Sequence, residues 1–205
     1  MPSAGLLTVI CGPMFSGKTE TLMRAVRRAA IADLGAQIFK PTTDKRDYGD
    51  LKTHSGQSLS QMDVVYAVTM IAPDDLFAIT VRPNISMVFL DEAQFFEKTV
   101  LVEVSRLLTR GVSVTVAGLD KDSNGCPFGF MPELLADADR VQKLAAVCSQ
   151  CKTPDTATMT ARRPGVSTAE KVLVGGSEAY VAVCRTCWYH LKNQILPLHA
   201  SVQVR

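Results

Sequence analysis

The chain has no run of lysines or arginines, and its 22 basic and 20 acidic side chains leave a formal net charge of only +2. A nucleic-acid groove draws its affinity from clustered cations that displace counterions, so this balance disfavours a polymer partner and equally an anionic membrane surface. No segment offers the roughly 20 consecutive apolar residues of a bilayer-spanning helix. Nor does the amino terminus show a charged stretch, a long apolar run and a small-residue cleavage site in succession. These absences predict a cytoplasmic protein that binds neither nucleic acid nor membrane. Internal repeats and low-complexity stretches are also missing, while 205 residues at 47% hydrophobic suffice for a full core. One domain, or one domain with an appendage, is expected.

Gly12, Pro13, Met14, Phe15, Ser16, Gly17, Lys18 and Thr19 form a complete P-loop. An apolar run precedes it and a helix-like stretch follows. A glycine-bearing turn lets successive backbone N–H groups face phosphate oxygens without interference from Cβ atoms, and the next helix presents its positive end. Lys18 can reach the outer phosphates, and the Thr19 hydroxyl is placed to ligate the magnesium ion that accompanies a nucleoside triphosphate. The competing reading is a chance glycine turn between a strand and a helix.

Met87, Val88, Phe89 and Leu90 lead into Asp91 and Glu92, an apolar strand that delivers two acids to the crevice where α/β sheets bind ligands. This pattern looks like a Walker B element. Asp91 would hold magnesium, directly or through water, leaving Glu92 to act as a general base on an attacking oxygen. Solvated acids capping a strand are the plainer alternative. If water is attacked the protein is an ATPase; if a substrate hydroxyl is attacked it is a kinase.

Four of the six cysteines form two pairs, Cys148 with Cys151 and Cys184 with Cys187. Each C-x-x-C pair can turn two thiolates toward one metal, and two such pairs complete a tetrahedral structural zinc site. Two disulfides are the alternative, which a reducing compartment disfavours. Cys11 and Cys126 have no such partners, and Cys11 reads as a small buried hydrophobe.

Short apolar runs alternate with amphipathic stretches up to about residue 144, the pattern of parallel strands joined by helices. Strands are predicted at 6–11, 36–40, 86–90, 112–117 and 141–144, and helices at 17–34 and 98–110. Leu22, Ala25, Val26, Ala29 and Ala30 mark the core face of the first helix. Leu101, Val104, Leu107 and Leu108 mark that of the second. Residues 62–79 read as partly helical, with Pro73, Asp74 and Asp75 opening a short helix. From Cys148 onward, the cysteine pairs, Gly175-Gly176 and Thr/Val-rich pieces indicate a small β-rich module.

The P-loop, Asp91-Glu92-Ala93-Gln94-Phe95-Phe96, Gly118-Leu119-Asp120 followed by Pro127-Phe128-Gly129, the two cysteine pairs, and Gly175-Gly176 before Tyr180 resemble cytosolic-type thymidine kinases. The likeness holds in order and spacing across residues 7–188. It implies a P-loop, RecA-like α/β fold, a parallel sheet flanked by helices, plus a small C-terminal β-rich zinc-binding module. The corresponding division is 1–145 for nucleotide binding, 146–192 for a zinc-binding, substrate-enclosing lasso, and 193–205 for a tail. The partly apolar stretch after Trp188, with Leu191, Ile195, Leu196 and Leu198, could pack on the body or a neighbour.

The activity implied is transfer of the γ-phosphate of ATP to the 5′-hydroxyl of thymidine, with Glu92 as catalytic base, Asp91 as the magnesium-associated acid, and Lys18 and Thr19 on phosphate and metal. Asp44 and Arg46 match an Asp-x-Arg element near the phosphates, although a solvated loop would look the same. The family's nucleoside pocket maps onto Met14, Phe95, Leu119, Phe128 and Tyr180, with Thr160, Val172, Leu173 and Val174 near the base edge. Taken singly, Phe95, Phe128 and Tyr180 read equally as core residues. Structural zinc, a homotetramer and feedback inhibition by thymidine triphosphate complete what the resemblance implies.

Two positions depart from the family pattern. Ser123 stands where a phenylalanine is usual, so a stacking wall is missing or replaced. Thr53-His54-Ser55 lacks the acid that some relatives carry after the histidine, so no second magnesium ligand is assigned there. Two other functional classes compete with a kinase. A zinc-containing ATPase on nucleic acid would need a basic or aromatic track, and a noncatalytic nucleotide sensor would not need both acids.

Overall fold

Strands covered by helices on both faces are apolar throughout, and short runs of this kind build the middle of the central sheet, whereas its edge strand at Arg140–Lys143 is polar and exposed. In the computed structural model, residues 4–43, 50–51, 56, 58–59, 68–72, 82–163 and 178–195 are described. The strands β1 (Leu7–Cys11), β2 (Ala36–Pro41), β3 (Val68–Ile71), β4 (Met87–Leu90), β5 (Ser113–Gly118) and β6 (Arg140–Lys143) form one six-stranded sheet in the order β3-β2-β4-β5-β1-β6. Every pairing in it is parallel. The chain leaves β1 for the far side of β4 and returns to β5 beside β1. The carboxyl ends of β1, β4 and β5 therefore meet at one crevice, the place where such sheets take ligands.

Helix α1 (Lys18–Ile31) buries Leu22, Met23, Val26 and Ala29 against Ile10, Ile38, Phe89 and Ala117. On the opposite face, α2 (Val100–Thr109) and α3 (Met131–Asp137) cover Leu7, Val9, Val88, Leu90, Val114 and Val116. Neighbouring strand residues such as Val9 and Ile10, or Val88 and Phe89, go to opposite faces as the pleat requires. Glu103 is buried on α2 because Arg106 one turn on holds its carboxylate at 2.6 Å.

The second layer is small. Strands β7 (Ala157–Arg162) and β8 (Tyr180–Cys184) pair antiparallel, and α4 (Arg185–Ile195) packs Trp188 and Leu191 onto them. Among the described residues, no helix is long and apolar enough to cross a membrane.

The five predicted strands and two predicted helices form within one to three residues of the expected bounds. The expectation of helix over 62–79 is corrected at Val68–Ile71, which is a strand beside β2. A four-residue segment rich in β-branched side chains gains more by completing the sheet edge than by an isolated helical turn. The other residues of 62–79, Pro73 to Asp75 included, lie outside the described residues, apart from Ala72. Helices α3 and α4 were not anticipated. The first is only seven residues long, and the second begins within the second cysteine pair and continues to Ile195. Leu191 is buried in the small module, whereas Leu196 and Leu198 lie outside the described residues.

Phe89, fully buried beneath α1, provides a test of this packing. Phe89→Ala is expected to lower the unfolding free energy by about 3–5 kcal/mol in chemical denaturation. A loss below about 1 kcal/mol would mean that α1 does not seat there.

Candidate active site

The phosphate loop begins where β1 stops. Gly12 has φ 148°, and a Cβ there would lie 2.5 Å from the Leu144 carbonyl oxygen and 2.9 Å from Ser16 Oγ. Gly17 is left-handed at φ 81° and caps the start of α1. Neither position tolerates a side chain. The loop also bonds across itself, since Ser16 Oγ and Lys18 Nζ donate to the Pro13 carbonyl at 2.9 and 2.7 Å. Lys18 is thereby folded over the loop at the amino end of α1, with Thr19 in the first helical turn. A glycine-bearing turn, an ammonium and a helix amino terminus together form an arrangement suited to an anion.

The two acids sit at the end of β4. Asp91 is buried, and its N–H donates to the Phe39 carbonyl of β2 at 3.0 Å. Glu92 adopts φ 51°, ψ 42°, a left-handed conformation that turns it away from the strand direction. A non-glycine residue there costs of order 1–3 kcal/mol and persists only where the surroundings enforce it. The surroundings do so through Gln94, whose Nε2 donates to Glu92 Oε2 at 2.6 Å while its Oε1 accepts from Leu119 N–H at 2.9 Å.

Of the residues matched to a nucleoside pocket, Met14, Leu119 and Tyr180 pack in one cluster with Ala179 and Phe15. Phe95 and Phe128 meet edge to face, with ring centroids 5.7 Å apart and planes at 84°. Thr160 of β7 is buried and reaches the phosphate loop itself, its Oγ1 accepting from Met14 N–H at 3.0 Å. Phe15, at φ 64°, packs against both the pocket cluster and the core of the small module. The predicted residues Asp44, Arg46, Val172, Leu173, Val174 and the stretch Thr53-His54-Ser55 lie outside the described residues.

All six cysteines are thiols without a disulfide, and the sulfurs of Cys148, Cys151, Cys184 and Cys187 lie within 4.8 Å of one another. Zinc–sulfur bonds of 2.3 Å would set tetrahedral sulfurs about 3.8 Å apart. Cys151 and Cys184 are at 3.9 Å. Burial opposes ionisation of Cys148, but backbone N–H groups of Cys184, Cys151 and Gln150 pull its thiol down to about 6. Hydrogen bonding to Cys184 and burial push Cys187 up to about 12. Four crowded thiols cannot all ionise alone, whereas a dication removes that repulsion. The donor set therefore fits zinc.

Several residues around the crevice had no role assigned from the sequence. Gln94 is the most central, and its only sequence signal is a polar residue between Ala93 and Phe95, two positions after Glu92. Trp188 is the second. Its indole N–H donates to the Ser123 carbonyl at 3.3 Å, Lys192 Nζ donates to the Asn124 carbonyl at 2.9 Å, and the Trp188 ring lies against Gly125. The loop carrying Ser123 thus rests on α4 through its main chain. Asp120 is the third, buried at the end of β5 between Lys143 at 3.0 Å and Lys121 at 3.1 Å. Burial alone would raise its carboxyl; hydrogen bonds from the two lysines outweigh it and hold the group below the usual range.

Compared with known families, the chain matches the one described as thymidine kinase over residues 5–188. The match spans the phosphate loop, both acids, the pocket cluster and all four clustered cysteines.

The Thr160 contact is directly testable. Thr160→Val leaves the Met14 N–H buried without a partner, and is expected to cost about 1–3 kcal/mol of stability in chemical denaturation. Stability equal to that of the unmodified protein would mean that the hydroxyl does not hold the loop.

Proposed function

Because the chain belongs to the thymidine kinase family, whose activity is phosphorylation of thymidine, we propose that it transfers the γ-phosphate of ATP to the thymidine 5′-hydroxyl, giving thymidine monophosphate and ADP. One observation carries this reading. Met14 belongs at once to the phosphate loop and to the apolar cluster with Leu119 and Tyr180, so a triphosphate donor and a nucleoside acceptor would lie side by side.

In the proposed reaction, Glu92 takes the proton of the 5′-hydroxyl as that oxygen attacks the γ-phosphorus. The bond to the β–γ bridging oxygen breaks, and ADP leaves. Lys18 and the loop amides bear the negative charge spread over the transferring group. The oxygens of Thr19 and Asp91 are the hard donors that magnesium takes, and the ion supplies charge neutralisation on the phosphates. Arg46 is proposed to assist at the same phosphates. Phe95 and Phe128, with the Met14 cluster, would wall the base, and Thr160 with Val172, Leu173 and Val174 would border its polar edge.

The four cysteines are proposed to hold one structural zinc ion that keeps β7, β8 and α4 together beside the phosphate loop. A cytoplasmic homotetramer subject to feedback inhibition by thymidine triphosphate is the family-based reading of its setting.

With magnesium and ATP, the protein is expected to phosphorylate thymidine in a panel that also holds deoxyuridine, deoxycytidine and uridine. Glu92→Gln should lower kcat by about 100-fold or more, within the contribution of general base catalysis, while nucleotide binding persists. Full turnover in that variant would sink the assignment of the base. Elemental analysis should find about one zinc per chain, as a closed four-thiolate site requires. An active, metal-free preparation would overturn the zinc reading.

A further inference from the structure

Gln94 is buried, and both ends of its amide are committed. The Leu119 backbone nitrogen can only donate, so the Gln94 oxygen must face it, at 2.9 Å. This forces the Gln94 nitrogen toward Glu92 Oε2, at 2.6 Å. Gly118 makes room for this amide, since a Cβ there would lie 2.9 Å from Gln94 Oε1. An amide clamped in this way fixes the direction of the carboxylate it donates to.

We propose that Gln94 is the positioning residue for Glu92, fixing the direction of its carboxylate and coupling that direction to the wall of the nucleoside pocket. The coupling runs through Leu119, whose N–H holds the Gln94 oxygen and whose side chain packs on the Met14–Tyr180 cluster. A shift of that wall would be felt at the base through two hydrogen bonds. Glu92 needs such support because its left-handed backbone does not itself aim the side chain. The inference rests on Glu92 being the base.

Gln94→Glu separates positioning from packing. It keeps an acceptor for Leu119, replaces the permanent amide donor with a carboxyl that can donate to Glu92 only while it carries a proton, and sets a second titrating acid beside the base. We expect kcat to fall by about tenfold or more, with KM for thymidine and ATP each within about threefold, because a misdirected base weakens the transition state more than ground-state binding. The acid limb of the kcat–pH profile should move to higher pH, since a like charge favours protonated Glu92. Placed on Glu92→Gln, the change should cost less than about twofold more, because residues acting as a unit are not additive.

A fall confined to KM, an unmoved acid limb, or an equal loss in the Glu92→Gln background would overturn the proposal. If the buried carboxylate prevents folding, Gln94→Met keeps the length and loses both hydrogen bonds, and the kcat, KM and double-variant comparisons decide. An active Glu92→Gln protein would refute the base reading beneath the inference. An inactive one alongside an unaffected Gln94→Glu protein would refute the inference alone.

Discussion

A loop that leaves its amides for a ligand must be held from outside, and in this protein the P-loop is tied through one amide to another layer of the fold. The Met14 N–H donates to Thr160 Oγ1 of β7, in a contact closed to water. Both partners are buried, so the bond persists only while β7 stays seated. Phe15 strengthens the dependence by packing into the core of the small module from within the loop. The loop, the pocket cluster and the four-cysteine cluster thereby become parts of one construction.

The same logic extends to the loop that carries Ser123. A phenylalanine at that position would supply an aromatic wall of its own. Here the loop's main chain is held by Trp188 and Lys192 of α4, and Gly125 lies against the indole ring. Helix α4 starts between Cys184 and Cys187. Order at the cysteine cluster is therefore order in the loop that carries Ser123.

Much of the α/β layer was legible because its signals are local. The runs ending at Cys11, Leu90 and Gly118 are apolar on both faces, and α1 and α2 repeat their apolar residues at helical spacing. The P-loop, the Asp91–Glu92 pair and the cysteine pairs are legible for the same reason, since each works through neighbours a few residues apart. Val68–Ile71 was misread because four residues carry no periodicity that separates strand from helix; the free edge of β2 decides it. Helix α4 was missed because cysteine knuckles and β-branched residues dominate the reading around it.

Gln94, Trp188 and Asp120 mark the boundary of what sequence alone can show. Their partners Leu119, Ser123 and Lys143 are distant in sequence or meaningful only once main-chain atoms are placed. By itself the sequence determined the family, the P-loop motif, the paired acids and the two cysteine pairs that could hold a metal, because residue type and short-range spacing carry those signals. Only the tertiary structure decided which oxygen of Glu92 is held, that Thr160 secures the phosphate loop, and that α4 carries the Ser123 loop. Those outcomes depend on the direction of hydrogen bonds between elements, and direction exists only after the elements have packed.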